Sequence, residues 1–119
     1  MSTQKPQVES KVRVKRGEDI AVGPGKIELL KTIGEAGSIS GAARTMGMSY
    51  RRAWLLVETM NSCFVSPLVA TATGGKSGGG AQLTDEGRKV LNDYADLMAD
   101  IDAVAARYLE TLQQNNPLA

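Results

Sequence analysis

Residues 37–63, GSISGAARTMGMSYRRAWLLVETMNSC, constrain the fold of this chain more than any other segment. Ser40 can cap a first helix, Gly47 can end it in the left-handed region, and Ser49 can cap a second helix that begins at Tyr50. Only three residues separate the two predicted helices. This spacing is typical of a helix-turn-helix, in which the start of the second helix enters the DNA major groove.

The second helix combines an apolar stripe at helical spacing with a basic first turn. Arg51 and Arg52 lie in that turn, where positive charge opposes the positive end of the helix dipole. An anionic partner would offset this cost, since an arginine fork can read guanine or bind a phosphate. The alternatives are a helical hairpin that binds nothing and a solvated pair of charges. The candidate DNA contacts of the motif are Ser40, Arg44, Ser49, Tyr50, Arg51, Arg52 and Trp54.

Two side chains of this region have more than one interpretation. Trp54 stands four residues from Tyr50, and it could either pack in the core or line the DNA-facing side and contact Arg51 through its ring. Cys63 follows the apolar stripe and is predicted to be a small buried residue, with redox sensing as the alternative.

A glycine-rich loop, GGKSGGG over residues 74–80, joins two strand-like segments. A hairpin with this tip would bring Gly75, Lys76 and Ser77 to a sugar-phosphate backbone, because glycine leaves the backbone amides accessible. The segment ATATGGKS differs from the phosphate-loop pattern only in having Ala70 in place of the first glycine. That pattern requires a helix directly after the loop, whereas three more glycines follow here. Nucleotide hydrolysis is therefore the weaker interpretation.

The last third of the chain predicts one long helix. Thr84 can cap it, and Asp85 and Glu86 follow in the first turn, where carboxylates favour the dipole. Apolar residues then recur at alternating spacings of three and four, as in the seam of a coiled coil. Such a helix is longer than a small core can cover, so we expect a second copy of the chain to cover the rest. The predicted homodimer interface consists of Val90, Tyr94, Leu97, Met98, Ile101, Val104, Ala105, Tyr108 and Leu112.

Composition excludes several classes of protein. The 119 residues include no histidine and one cysteine, which rules out an internal disulfide, a Cys/His zinc site and a hydrolase with a histidine base. We therefore expect no enzymatic activity, no metal and no cofactor. The net charge of +1 conceals a polarity: residues 1–89 carry 13 basic and 8 acidic side chains, or +5, and residues 90–119 carry 1 and 5, or −4.

The N-terminal region has weaker signals. Residues 1–10 are polar and aperiodic, which predicts a flexible arm. Val12 and Val14 alternate with basic residues, which predicts a half-buried strand with a basic outer face, and residues 26–35 predict a short amphipathic helix. The sequence has no apolar run of membrane-spanning length and no signal-peptide core, so we expect a cytoplasmic protein.

The predicted elements follow the order helix, helix-turn-helix, hairpin wing and long helix. This order resembles the winged-helix DNA-binding domain of LysR-type bacterial regulators and, more closely, that of ModE-type regulators, which respond to molybdate. The resemblance covers residues 22–105 and rests on GSIS-GAA, SYRRAW, ETMN and ATGGKSGGGAQLT. It implies a homodimer that is joined through long helices and binds an inverted-repeat operator near genes for molybdenum uptake or molybdoenzymes. It places residues 49–54 in the recognition helix and Lys76 in the wing.

Two departures from the family pattern change what the resemblance implies. The family usually has an arginine shortly before the wing, where this chain has Thr71, so we expect one phosphate contact fewer. Full ModE proteins continue into molybdate-binding domains, whereas this sequence stops at Ala119, so we expect no molybdate site in it. It is then either a naturally short regulator or a fragment of a longer one.

The sequence therefore predicts a mainly α fold with a small β-hairpin. We expect an arm over residues 1–10, a winged helix-turn-helix domain over residues 11–84, and a dimerisation helix with a tail over residues 85–119. The expected function is transcription regulation through sequence-specific binding of double-stranded operator DNA by a homodimer, with no membrane partner. Lys11 and Arg13 are further candidate phosphate contacts. The alternative is a protein-interaction modulator that pairs with a longer ModE-type paralogue without binding DNA itself.

Overall fold

The computed structural model describes residues 5–72 and 80–119 and has the predicted mainly α architecture. Four helices are combined with two small antiparallel hairpins, one before the first helix and one between the third and fourth. None of the helices in these ranges is both long and apolar enough to cross a membrane. The elements are β1 (Val14–Arg16), β2 (Asp19–Val22), α1 (Pro24–Ala36), α2 (Ile39–Met46), α3 (Tyr50–Ser62), β3 (Val69–Thr71), β4 (Ala81–Leu83) and α4 (Asp85–Asn115).

The core lies between α1, α2, α3 and the β3–β4 hairpin. Leucine and isoleucine side chains of α1 pack against alanines of α2 and the inner face of α3. Small residues on α2 allow the helix axes to approach closely, and the larger side chains fill the remaining space. The largest fully buried side chains are Leu29, Leu30, Ile33, Val57, Met60 and Leu68.

The β3–β4 hairpin forms the base of the predicted wing. Val69 pairs with Leu83 and Thr71 with Ala81. The Ala81 N–H also donates to the Gly37 carbonyl at 3.0 Å, which joins β4 to the end of α1. The fold class predicted from the sequence, a winged helix-turn-helix with a long C-terminal helix, is confirmed.

An N-terminal hairpin replaces the single strand that the sequence predicted. β1 begins at Val14 and pairs with β2, so that Val14 lies opposite Val22 and Arg16 opposite Asp19. Gly17 adopts φ 62° in the turn, a conformation that glycine reaches without steric cost. The predicted half-burial of β1 is wrong, because all three of its residues are exposed. The buried residues belong to β2, which the periodicity argument missed.

The predicted cap of α2 is also wrong by two residues. Ser38, and not Ser40, is the N-cap, and its hydroxyl accepts a hydrogen bond from the Gly41 N–H at 2.9 Å. The earlier start places Ile39 inside the helix with only 4% of its surface exposed. Burial of this side chain decides between two serines that have the same capping chemistry. Cys63, predicted to be buried, is instead only partly buried.

The first turn of α4 lies directly against the chain before β3. A methyl group added to Gly87 would lie 2.3 Å from the carbonyl oxygen of Leu68, which is far inside van der Waals contact. The N-cap Thr84 donates its N–H to the same Leu68 carbonyl at 3.0 Å and accepts the Gly87 N–H on its hydroxyl. The helix therefore begins at a fixed position on the hairpin base, and only glycine fits at residue 87.

We predict that Gly87→Ala lowers the free energy of unfolding by about 1 to 3 kcal/mol, because the added methyl forces α4 away from the hairpin. Thermal and urea unfolding followed by circular dichroism would measure the change. Gly25→Ala is the matched control, since a methyl there meets nothing within 4 Å. It should leave stability unchanged or raise it by about 0.4 to 1 kcal/mol. Equal stability of the two variants would contradict the close approach.

Candidate nucleic-acid interface

The two helices of the predicted motif cross at alanine side chains. Ala42 and Ala53 are fully buried, and Ala43 is 3% exposed. Met46 and Met48, before and after the turn, pack against the same core cluster. The small side chains let α3 lie close across α2.

The turn between the helices has the left-handed glycine and the serine cap that the sequence predicted. Gly47 adopts φ 68°, and the Met48 N–H donates to the Ala43 carbonyl at 2.9 Å. Ser49 caps α3 by accepting the Arg52 N–H on its hydroxyl at 3.1 Å. Both ends of the turn are thus fixed by local hydrogen bonds, and the first three residues of α3 are exposed.

The outer face of α3 is apolar and basic at once. Tyr50 is 56% exposed, Trp54 41% and Leu55 45%, so Trp54 is not a core residue. Tyr50, Arg51 and Trp54 line one shallow depression. On the other side, Arg51, Arg52 and Leu55 line a groove of about 320 Å³ that extends along the helix. Large exposed side chains beside free cations are typical of a binding surface.

The arginines of this face have no carboxylate partner among the described residues. The ion pairs in these ranges join Asp85 to Arg88 and Glu86 to Lys89, all in the first turn of α4. Arg44, Arg51 and Arg52 are exposed, as are Ser40, Ser49 and Tyr50. The structure therefore brings the candidate DNA contacts of α2 and α3 to the surface, with their charges available to an anion. Within the described ranges no cluster of His, Cys, Asp and Glu side chains could hold a metal ion.

The predicted wing residues Gly75, Lys76 and Ser77 lie outside the described residues. The hairpin that carries them is described at its base, where the Ala72 N–H donates to the Gly80 carbonyl at 2.9 Å. Thr71, which stands where the family usually has an arginine, is exposed at the end of β3.

One side chain that links α3 to the start of β3 was missed by the sequence argument. The Asn61 side-chain oxygen accepts the N–H groups of Leu68 and Val69 at 2.8 and 3.2 Å, and its amide donates to the Val69 carbonyl at 3.1 Å. Asn61 thus holds the backbone at the start of β3 against the end of α3. An asparagine at the end of a helix, shortly before a proline and a strand, is the signal that could have indicated this role.

Helix α4 leaves the core soon after it begins. Its 31 residues span about 46 Å, and the whole molecule measures 62 × 33 × 24 Å. Of its predicted interface residues, Val90 packs against the chain's own core. Tyr94 is half-buried and donates its hydroxyl to the Val12 carbonyl at 2.9 Å. These two residues therefore already have contacts within the chain.

The rest of the predicted interface forms an uncovered apolar face. Leu97, Val104 and Tyr108 are 39%, 55% and 60% exposed. Together with Ile101 and Ala105, the last two line a shallow apolar groove of about 370 Å³. Met98 and Leu112 are partly exposed on the same helix. A face of this size is more apolar than a solvated surface helix requires.

A helix-turn-helix followed by a hairpin base and a long projecting helix defines the winged helix-turn-helix class of domain. In sequence, the chain is similar to the transcriptional regulator ModE of Escherichia coli K12, with 41% identity over 99 residues. It is similar also to the molybdenum transport protein ModE of Azotobacter vinelandii, with 39% identity over 89 residues. The molybdenum-pterin-binding protein MopB of Rhodobacter capsulatus matches at 41% over 91 residues. The resemblance to ModE-type regulators that was found in its motifs is therefore confirmed.

The matches cover most of this chain but a minor part of each relative. The three alignments include 83%, 75% and 76% of the chain, and 37%, 33% and 34% of the respective relative. The chain thus spans about a third of the length of these proteins. A search of protein-family models found no match. The names of these relatives describe a transcriptional regulator, a molybdenum transport protein and a molybdenum-pterin-binding protein.

We predict that Asn61→Ala lowers the free energy of unfolding by about 2 to 3 kcal/mol, because two backbone donors at the start of β3 lose their partner. Chemical unfolding monitored by the single tryptophan would measure the loss. Asn92→Ala is the control, since Asn92 is exposed on α4 and its replacement should change stability by less than about 0.5 kcal/mol. A neutral Asn61→Ala would show that these hydrogen bonds do not fix the wing base.

Proposed function

We propose that this chain is a ModE-like transcription regulator that binds an operator in double-stranded DNA as a homodimer. The observation that carries the proposal is the outer face of α3, where exposed arginines, without carboxylate partners among the described residues, lie beside exposed aromatic rings. The domain division is the one expected from the sequence: an arm over residues 1–10, a DNA-binding domain over residues 11–84 and a dimerisation helix over residues 85–119.

The proposal assigns two kinds of contact to the basic residues. Arg51 and Arg52, at the start of α3, reach base edges in the major groove, where an arginine reads guanine through two hydrogen bonds. Arg44, Ser40 and Ser49 contact phosphates and so set the position of the helix on the duplex. Lys76, with Gly75 and Ser77 at the wing tip, contacts the sugar-phosphate backbone. The exposed positions of Tyr50 and Trp54 support a role in stacking beside Arg51.

A homodimer through α4 fits both the uncovered apolar face and the geometry of an inverted repeat. Two recognition helices must enter successive major grooves about 34 Å apart, and a helix of about 46 Å is long enough to hold two domains at such a distance. The acidic residues of α4 place the negative end of the chain away from the phosphates. The proposed interface is the predicted one, with Val90 and Tyr94 at its edge because they also contact their own chain.

The relatives suggest which genes the operator controls. Their names refer to molybdenum transport, molybdenum-pterin binding and transcription regulation, and we propose the same pathway for this chain. No molybdate site is assigned to residues 1–119, and calorimetric titration with molybdate tests this directly. Tight stoichiometric binding would overturn it. The proposed function requires a cytoplasmic location, because the operator lies on the chromosome.

A second candidate is a modulator that pairs with a longer ModE-type protein without binding DNA. The uncovered apolar face of α4 is compatible with it, since this face would fit a second copy and a similar helix of a paralogue equally well. The two functions differ in their dependence on salt. A DNA-binding dimer loses affinity steeply as salt rises, whereas a modulator has no salt-dependent affinity for duplex DNA.

We predict that Arg51→Ala weakens binding to a duplex selected from random sequence by the wild-type chain, at a cost of about 1 to 3 kcal/mol, because one base-reading arginine is removed. Gel shifts on the selected duplex and on its scrambled version would measure the difference. Lys76→Ala is the comparison variant, and it should weaken both duplexes alike because it removes a backbone contact. An equal effect on both duplexes for Arg51→Ala would refute the base-reading role.

We predict that Val104→Asp converts the dimer to a monomer at concentrations where the wild type is dimeric, raising the dimer dissociation constant at least about tenfold. Sedimentation equilibrium would measure it. Val104 is 55% exposed in the single chain, so the change should not affect folding. Ala103→Asp adds the same charge to an exposed residue outside the seam and should remain dimeric. A dimeric Val104→Asp would contradict the proposed interface.

A further inference from the structure

A cavity of about 410 Å³ lies between the N-terminal hairpin, the start of α1 and the helix-turn-helix. We call it the hairpin pocket. Its floor is apolar and includes Ile20, Met48 and Leu56, whereas its rim carries the cations Lys11, Arg13, Lys26 and Arg52. Among the residues that the structure describes, no carboxylate lines it. The pocket therefore combines four positive charges from three separate parts of the fold.

The cations of the rim are not neutralised within the described residues. The ion pairs in these ranges are confined to the first turn of α4, on other residues. The Lys26 ammonium donates a hydrogen bond to the Ile20 carbonyl oxygen. This bond places the positive charge beside β2 but does not neutralise the charge. Positive charges that line one pocket attract an anion, because each of them interacts favourably with a negative charge placed there.

The hairpin pocket is continuous with the recognition surface. Arg52 and Leu56 line both this pocket and the groove along the outer face of α3. The hairpin lies alongside α3, because Arg16 donates to the Ser62 carbonyl at the far end of that helix at 3.2 Å. At the near end, Lys11 and Arg13 extend the positive charge of Arg52 beyond the helix.

The position of these side chains is fixed by the fold. The Tyr94 hydroxyl bonds the Val12 carbonyl, which holds the backbone between Lys11 and Arg13 against α4. A methyl group added to Gly23 would lie 3.2 Å from the Cγ of Arg13, so the arginine stem lies close to the start of α1. The segment that carries Lys11 and Arg13 is therefore held in place by contacts with α4 and the start of α1.

We propose that the hairpin pocket binds backbone phosphates of the DNA that flanks the operator half-site. The rim of this pocket is then a third DNA-contacting element, beside the recognition helix and the wing. Lys11 and Arg13, just before β1, and Lys26 in α1 contact phosphate without reading bases. This inference rests on the proposed function, because it requires α3 to lie in the major groove. The charge continuity through Arg52 favours DNA over a free small anion, since a duplex on α3 extends past this edge of the helix.

The test is the salt dependence of binding to the selected operator duplex. The double variant Lys11→Gln with Arg13→Gln should reduce the slope of log affinity against log salt by about 0.9 for each phosphate that the variant no longer neutralises. It should also remove ethylation interference at phosphates outside the half-site. Lys15→Gln is the control, because Lys15 lies in β1, two residues after Arg13, but does not line the pocket. Circular dichroism melting checks that all variants fold.

The outcomes separate this inference from the proposed function. If the wild type shows no salt-dependent binding to any selected duplex, the proposed function fails and the inference fails with it. If the wild type binds but the double variant keeps the wild-type salt slope and the wild-type pattern of ethylation interference, the inference alone is overturned. A third outcome would also overturn the inference and indicate a site for a free anion. In it, millimolar inorganic phosphate raises the melting temperature of the wild type but not of the double variant, while the salt slope of DNA binding is the same for both.

Discussion

The backbone at the start of β3 is held from two sides, and the arrangement of the candidate interface depends on it. From one side, the side chain of Asn61, near the end of α3, accepts hydrogen bonds from the N–H groups of Leu68 and Val69. From the other, Thr84 donates its N–H to the Leu68 carbonyl, and Gly87 allows the first turn of α4 to lie against that carbonyl. One short segment thereby fixes α3, the wing base and α4 relative to one another.

This junction connects the direction of the long helix to the position of α3. The N-cap of α4 is bonded to the Leu68 carbonyl, and the Leu68 N–H is bonded to Asn61 near the end of α3. The direction of α4 is therefore linked through Leu68 to the position of α3. A dimer formed through the uncovered face of α4 would fix the separation of two such helices. Rigid support of this kind lets a binding surface keep its geometry without any contact between the two DNA-binding domains.

Local signals made the helix-turn-helix predictable. The left-handed Gly47 and the capping Ser49 act within a few residues, so their chemistry is the same before and after folding. The same reasoning failed at Ser40, where two serines offered equal caps and the burial of Ile39 selected Ser38. It failed also at β2, because a four-residue strand is defined by its partner and by the helix that it packs against, and neither is adjacent in sequence.

The sequence by itself determined the class of the domain, the basic start of the recognition helix and the apolar seam of the last helix, because caps, periodicity and charge are written in short stretches of chain. Only the tertiary structure decided that Trp54 is exposed and that Val90 and Tyr94 contact their own chain. It also decided that Lys11 and Arg13, just before β1, extend the basic surface beside Arg52. Each of these depends on contacts between residues distant in sequence, and such contacts exist only once the whole core has packed.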